Sequence, residues 1–258
     1  NRLKRKAITN LLNLFKENPD IKVGLRINAI GSSEFKQDLV LLNKLKWVKW
    51  DFVVIPKLES SEMLTKYAMA LRGTNCKGII ICIESEKGIK NLDSILKNNT
   101  DHKISKVQFG HYDYFLNSRT FPIPLQTNFE FWRVCEKLIA IVESNGCMYL
   151  HTPLNRLNDP KLMFGILNKL TRICTFNFGI ASISYSQTKQ IHEFKTKGDE
   201  LILNHADYTN KRIYAEELIF QYRRNRNDNF SFSRNIRDGL FIAPQEYIAS
   251  RNFLSQYE

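Results

Sequence analysis

The stretch "GIIICIESEKGIKN", Gly78–Asn91, runs five apolar residues, Ile79 to Ile83, straight into Glu84 and then into a helical pattern. A short, continuous apolar run of this kind is what a strand buried on both faces looks like, as in a parallel sheet covered by helices. The carboxylate at its end needs a reason, because charge at a buried strand end is costly unless it is paired or ligates a metal.

The same grammar recurs on both sides of this segment. Strands are read in "KVGLRINA" (22–29), "WDFVVIPK" (50–57), "GIIICIES" (78–85), "SKVQFGHYDYF" (105–115), "GCMYLHTP" (146–153) and "GIASISY" (179–185). Amphipathic helical patterns lie between them, so the expected class is α/β with a parallel sheet. Two closures compete, an open doubly wound sheet and a (β/α)8 barrel. Polar residues favour the barrel, because Arg26 and Asn28, Lys57 and Glu59, Glu84, Asp113 and His151 fall at or just after the ends of five consecutive strands. Barrel sites are assembled in that way, from several strand ends at one mouth. An open sheet concentrates its ligands at a switch point, often with a glycine-rich phosphate loop, and neither GxGxxG nor GxxxxGK[ST] is present.

The chain opens on Asn1 inside a helical pattern, "RLKRKAITNLLNLFKEN", so a further segment upstream is expected. The strand-and-helix part is read as 1–186, and 187–258 as the last barrel helix plus a C-terminal helical extension without a core of its own, placed at a subunit interface.

A chain of 258 residues with 43% hydrophobic content can bury a full core. Its formal charge of +12 suits anionic small molecules, nucleic acid or an anionic membrane surface, without choosing among them. The basic stretches "RLKRK" and "YRRNRNDNFSFSR" are read as the solvated face of a helix and a loop after one, so nucleic acid is not the expected partner. Five cysteines without a CxxC pair are read as buried thiols in a reducing compartment. No apolar run approaches the roughly 18 residues of a membrane span, and no signal peptide is visible; a cytoplasmic protein is the default.

Glu84 and Asp113, ending neighbouring strands, would repel one another. A shared divalent cation relieves this, and Mg²⁺, which favours one or two carboxylates with water and substrate oxygens, fits. The alternative is that one acid caps the following helix and the other pairs with a lysine. Arg26 suits bidentate capture of a carboxylate or oxyanion, or a salt bridge to Glu59 or Glu84. His111 and His151 are read as structural or as acid–base groups. Serine chemistry at Ser184 or Ser186 lacks a nucleophile-elbow pattern.

Taken in order, "LRINA", "VVIPKLES", "IICIESEKGIKN" and "VQFGHYDYF" resemble the HpcH/HpaI aldolase/citrate lyase β-subunit family, with its RxN, PKxES, IExxxG and GxxD strands. "FNFGIASISYSQTKQIHEF" and "IRDGLFIAPQEYIASRNFL" are similar to its C-terminal segments, so the resemblance spans the chain. It implies a TIM barrel of the phosphoenolpyruvate/pyruvate type with a C-terminal helical extension, in trimers or hexamers. It also implies a Mg²⁺-dependent (or Mn²⁺-dependent) carbon–carbon lyase or aldolase acting on a small oxo or hydroxy acid, or on its CoA or acyl-carrier thioester. Under the resemblance Glu84 and Asp113 match the metal ligands, and Arg26 matches the arginine that contacts substrate oxygens. Asn28 and Lys57 join Arg26 in substrate binding, and Glu59 supports the metal site. Three departures stand beside it. The family's two earlier strands, with their DLEDxV motif, are expected upstream; the IHPxQ segment reads "ISYSQ", with Ser184 and Tyr185; and "FIAPQ" carries Ala243 where malyl-CoA lyase-like members have an aspartate. Asp238 and Glu246 are the acids of the extension that could stand in for it. The lost aspartate and the altered IHPxQ segment favour the alternative of a catalytically impaired binding or assembly subunit.

Overall fold

Six parallel strands pair in sequence order, β1 (Gly24–Arg26), β2 (Phe52–Ile55), β3 (Ile79–Ile83), β4 (Ile104–Phe109), β5 (Met148–His151) and β6 (Gly179–Ile180), in the computed structural model. Residues 2–18, 23–98, 104–194, 201–205, 210–225, 233–234 and 241–257 are described. Between the strands lie α2 (Ser33–Lys44), α3 (Ser61–Ala70), α4 (Glu86–Lys97), α5 (His111–Asn117), α6 (Phe129–Ser144) and α7 (Pro160–Ile173), with α1 (Arg2–Glu17) before them and α8 (Tyr185–Glu193) after β6. This is an arc of a TIM-type barrel, and among the described residues β1 and β6 are its edges.

Each link follows from local sequence. All five residues of β3 are buried, as its unbroken apolar run requires. The helices start where a short polar side chain can take an orphan backbone N–H: Ser32, Ser60, Ser85 and Ser184 accept from Phe35, Met63, Gly88 and Gln187 at 3.1, 3.2, 3.1 and 3.1 Å. Asp159 does the same for α7, with Pro160 behind it. On α6, Phe131, Trp132, Cys135, Leu138, Ile139 and Val142 form one buried stripe. One continuous core joins these side chains to Val53, Ile55, Ile81, Ile83, Val107 and Phe109 of the strands.

One expected strand is corrected. The run 105–115 is not all strand: β4 ends at Phe109, Gly110 precedes α5, and "HYDYFLN" is helical. Its alternation of aromatic and polar residues imitates a strand, but the buried side chains are His111 and Phe115, one helical turn apart. Asp113 therefore sits in the first turn of α5 rather than at a strand end.

The boundary at 186/187 falls inside α8. The extension then supplies α9 (Lys211–Asn225), a small antiparallel pair β7 (Ser233–Arg234) and β8 (Phe241–Ile242), and α10 (Pro244–Leu254). It does hold a small core cluster of its own, Leu218, Tyr222 and Ile242, beside the main one. Asp238 and the polar stretch 226–232 lie outside the described residues. All five cysteines are free thiols, three of them buried. No helix among the described residues is long and apolar enough to cross a membrane.

Candidate active site

Parallel pairing brings every strand's carboxyl end to one side of the arc. In the β3–β4 register Cys82 faces Gln108 and Ile83 faces Phe109, so Glu84 and Gly110 come next, opposite one another. That position explains the glycine. A Cβ on Gly110 would lie 2.4 Å from the Glu84 Cγ, so only a residue without a side chain lets the carboxylate stand there.

Glu84 is only 5% exposed. Its Oε1 accepts from the Arg26 guanidinium at 3.1 Å, while Oε2 is buried without a hydrogen-bond partner. Burial pushes the Glu84 carboxyl up from its ordinary value; Arg26 opposes this, and the charge on Asp113 adds to it. Asp113 Oδ1 forms an ion pair with Lys57 Nζ at 3.2 Å, and its Oδ2 accepts from Gln245 Nε2 at 2.9 Å. Lys57 reaches it from a backbone in the left-handed region, with φ at 52°, which for a residue with a side chain is held in place by its surroundings. Ser85, not an acid, caps α4. The lysine pair expected for one of the two acids is the Lys57–Asp113 pair, and Arg26 makes the bridge to Glu84 rather than to Glu59.

Two adjoining cavities share the Glu84–Asp113 wall. The smaller, about 180 Å³, is bounded by Lys57, Glu59, Ser85 and Asn117. The larger, about 360 Å³, is bounded by Arg26 and Cys82, then by Tyr112, Thr152 and Asn155, and by Phe241 and Gln245 of the extension. Arg26, Lys57, Glu59, Glu84 and Asp113 are thus brought together. Asn28 is not: its backbone N–H and its Nδ2 both donate to Asp38 Oδ2 at 2.7 Å, tying the loop after β1 to α2, and it lines neither cavity. Glu59 accepts from Ser85 Oγ at 2.7 Å and pairs with Lys87 at 3.5 Å, which fixes it at the rim.

The histidines are core residues. His111 Nδ1 meets Thr152 Oγ1 at 2.6 Å; His151 sits between Tyr149 Oη at 3.0 Å and Gln126 Oε1 at 3.2 Å, stacked on Trp132. Burial pushes both imidazoles down to about 3, so both are neutral at any working pH. Burial, with the Glu84 charge adding to it, pushes the Cys82 thiol up to about 12, leaving a neutral wall group rather than a thiolate.

Glu246 behaves in the opposite sense to the histidines. It is buried at the start of α10, with Oε2 accepting from the Ala243 N–H at 2.7 Å, and burial pushes it up to about 7. A carboxyl raised in the folded state binds a proton there that the unfolded chain has released, so its stabilisation is full below its unfolded value of 4.5 and is lost as pH rises to about 7. Glu246→Gln keeps an acceptor for the cap and removes this loss. The variant's unfolding free energy, followed by urea titration, should gain on the parent by about 1.4 kcal/mol per pH unit inside that window and not below it.

Several site residues escape sequence reasoning. Thr152, Asn155 and Gln245 carry no motif that marks them, and Gly110, the glycine of the GxxD pattern, gives no sign in that pattern that it makes room for Glu84. Gln187 is the Gln of "ISYSQ", and it is a fully buried clamp donating to the Leu154 and Arg156 carbonyls at 2.8 and 3.1 Å. Ser184 and Tyr185, where the resemblance led to a histidine and proline, only begin α8.

Two carboxylates at one wall, one with a buried unpartnered oxygen, are a donor set that suits a hard divalent cation with water completing its shell. Among the described residues there is no group of three or more His, Cys, Asp or Glu side chains for an all-protein cage. Solved structures share the fold. RipC from Yersinia pestis is 20% identical, with a TM-score of 0.60 over 73% of this chain and 80% of that one. The citrate lyase β-subunit of M. tuberculosis complexed with oxaloacetate and magnesium is 17% identical, with a TM-score of 0.52 over 66% and 71%. CitE of M. tuberculosis in complex with magnesium, acetoacetate and coenzyme A is 15% identical, with a TM-score of 0.52 over 90% and 76%. No curated protein sequence matches the chain. The sequence profile of the HpcH/HpaI aldolase/citrate lyase family matches residues 3–163, more than half of the chain, and on that match the protein belongs to the HpcH/HpaI aldolase/citrate lyase family.

Proposed function

We propose that the protein is a Mg²⁺-dependent carbon–carbon lyase or aldolase acting on a small oxo or hydroxy acid, or on its CoA or carrier thioester. The observation that carries this reading is the buried, unpartnered Glu84 Oε2 on the wall it shares with Asp113, with the Arg26 guanidinium 3.1 Å from the other oxygen. The magnesium, oxo-acid and coenzyme A complexes of the M. tuberculosis neighbours support it.

Glu84 and Asp113 would hold the cation, which when bound supplies a Lewis acid for the oxygens of an oxo acid. Arg26 contributes a permanent positive charge beside the larger cavity, where an enolate or alkoxide oxygen needs stabilisation. Its side chain is 57% exposed, so it can serve a ligand without leaving a buried charge behind on itself. Lys57 balances Asp113 and keeps a second cation at the smaller cavity. The apolar walls, Phe109, Ile183 and Phe241, limit water around the reacting carbons. His111, at the edge of the larger cavity, and His151 are buried, already hydrogen-bonded and, with burial lowering both to about 3, weak bases, so neither is assigned the proton transfer.

A second reading, a family member that binds but does not turn over, is favoured by Ala243 at the position of the aspartate of malyl-CoA lyase-like members. Deuterium exchange separates the two. In D₂O with Mg²⁺, ¹H NMR should show loss of the methyl signal of pyruvate or of an acetyl thioester, and EDTA should stop it. Magnesium binding without exchange supports the second reading; no magnesium binding defeats the first.

A further inference from the structure

We propose that Gln245, from the C-terminal extension, is a positioning residue for the metal site of its own chain: its side-chain amide fixes the Asp113 carboxylate through Oδ2. This rests on the reading of Glu84 and Asp113 as metal ligands.

The hydrogen bond from Gln245 Nε2 to Asp113 Oδ2 is 2.9 Å long and joins residues 132 positions apart in sequence. It is aimed by local structure on both sides. Asp113 lies in the first turn of α5, against which α10 packs. At the start of α10 the Ala243 N–H donates to Glu246 Oε2, and Pro244 sets the first turn, so Gln245 follows on a fixed backbone. The Phe241 N–H donates to the Asn155 carbonyl at 2.9 Å, docking the strand before α10 onto the segment after β5. Phe241, Ala243 and Gln245 consequently form part of the wall of the larger cavity.

The chemistry of the donor matters. A neutral amide orients the carboxylate without adding a second positive charge beside the one Lys57 already brings to it. Among the described residues the other oxygen, Oδ1, is paired only with Lys57, a long side chain that is 57% exposed and able to move aside. Asp113 is therefore fixed on one oxygen and available on the other. Hydrogen-bonded partners of ligating carboxylates set ligand orientation, and losing one costs about 10- to 100-fold in metal affinity.

Isothermal titration of Mg²⁺, and separately of Mn²⁺, into the full chain tests this. Gln245→Met keeps length and apolar bulk but has no donor, and Gln245→Ala removes both. Each is expected to weaken metal binding by about 10- to 100-fold. Phe253→Ala removes the stacking of Phe253 on Phe121, whose ring centroids are 4.6 Å apart, and loosens α10 without touching Asp113. It should lower the melting temperature and leave metal affinity within about twofold of the parent, because distant sites act independently. Unchanged affinity in Gln245→Met, or an equal loss in Phe253→Ala, would overturn the assignment, since Gln245 would then serve only to dock the helix. Failure of the parent chain to bind either metal would overturn the metal-site reading itself, and this inference with it.

Discussion

Glu84→Gln is expected to abolish Mg²⁺ binding and the exchange reaction while leaving the protein as stable as the parent or slightly more so. The substitution preserves size, so the core around β3 is undisturbed, and it removes only charge. In the folded chain that charge is unfavourable: burial raises the Glu84 carboxyl, and Oε2 has no hydrogen-bond partner. The Arg26 guanidinium is more than half exposed, so on losing its partner it returns to water and leaves no buried cation unpaired. Metal affinity should fall at least about 100-fold, beyond the upper end of what loss of an outer-shell partner costs. Stability gained together with binding lost is the mark of a residue kept for function. Calorimetric titration alongside thermal melts checks it. A large drop in melting temperature with metal binding retained would make Glu84 a structural ion pair with Arg26.

Gly110→Ala should have the next largest effect. The added methyl group would lie 2.4 Å from Glu84 Cγ and 2.9 Å from its Oε1, inside any contact real side chains make. Backbone strain is not the obstacle, since φ at Gly110 is −99°. Either the carboxylate leaves the wall or β4 shifts against β3. Overpacking of this kind costs about 1–3 kcal/mol, and the displaced carboxylate should take most of the metal affinity with it. Urea denaturation and Mg²⁺ titration on the same variant read both effects. Wild-type metal affinity in Gly110→Ala would mean that the glycine does not determine where Glu84 stands.

Much of this architecture is legible in the sequence because it depends on short-range patterns. Apolar runs ending in polar residues mark β1 to β6, and parallel pairing then brings Arg26, Lys57, Glu84 and Asp113 to one side without further information. The misread element, "HYDYF", fails because alternation and helical spacing coincide over five residues, and Gly110 alone ends β4. Asn28 illustrates a different limit. It follows the strand as Arg26 does, yet its side chain turns to Asp38, a contact across ten residues that no motif announces. Gln245 is more distant still. "FIAPQ" draws attention to the missing aspartate, while the residue that enters the site is the glutamine two places on, brought there by packing of α10 on α5. Patterns along the chain locate the mouth; tertiary contacts decide which neighbours reach it.

The central claim is that Glu84 and Asp113 together hold a divalent cation, and anomalous diffraction from crystals grown with Mn²⁺ and pyruvate tests it most directly. The expected result is a manganese peak within about 2.3 Å of an oxygen from each carboxylate, a hard-cation distance, with Lys57 moved off Asp113 and Gln245 still on Oδ2. No peak at this wall, with Glu84 still paired to Arg26 and Asp113 to Lys57, would contradict it.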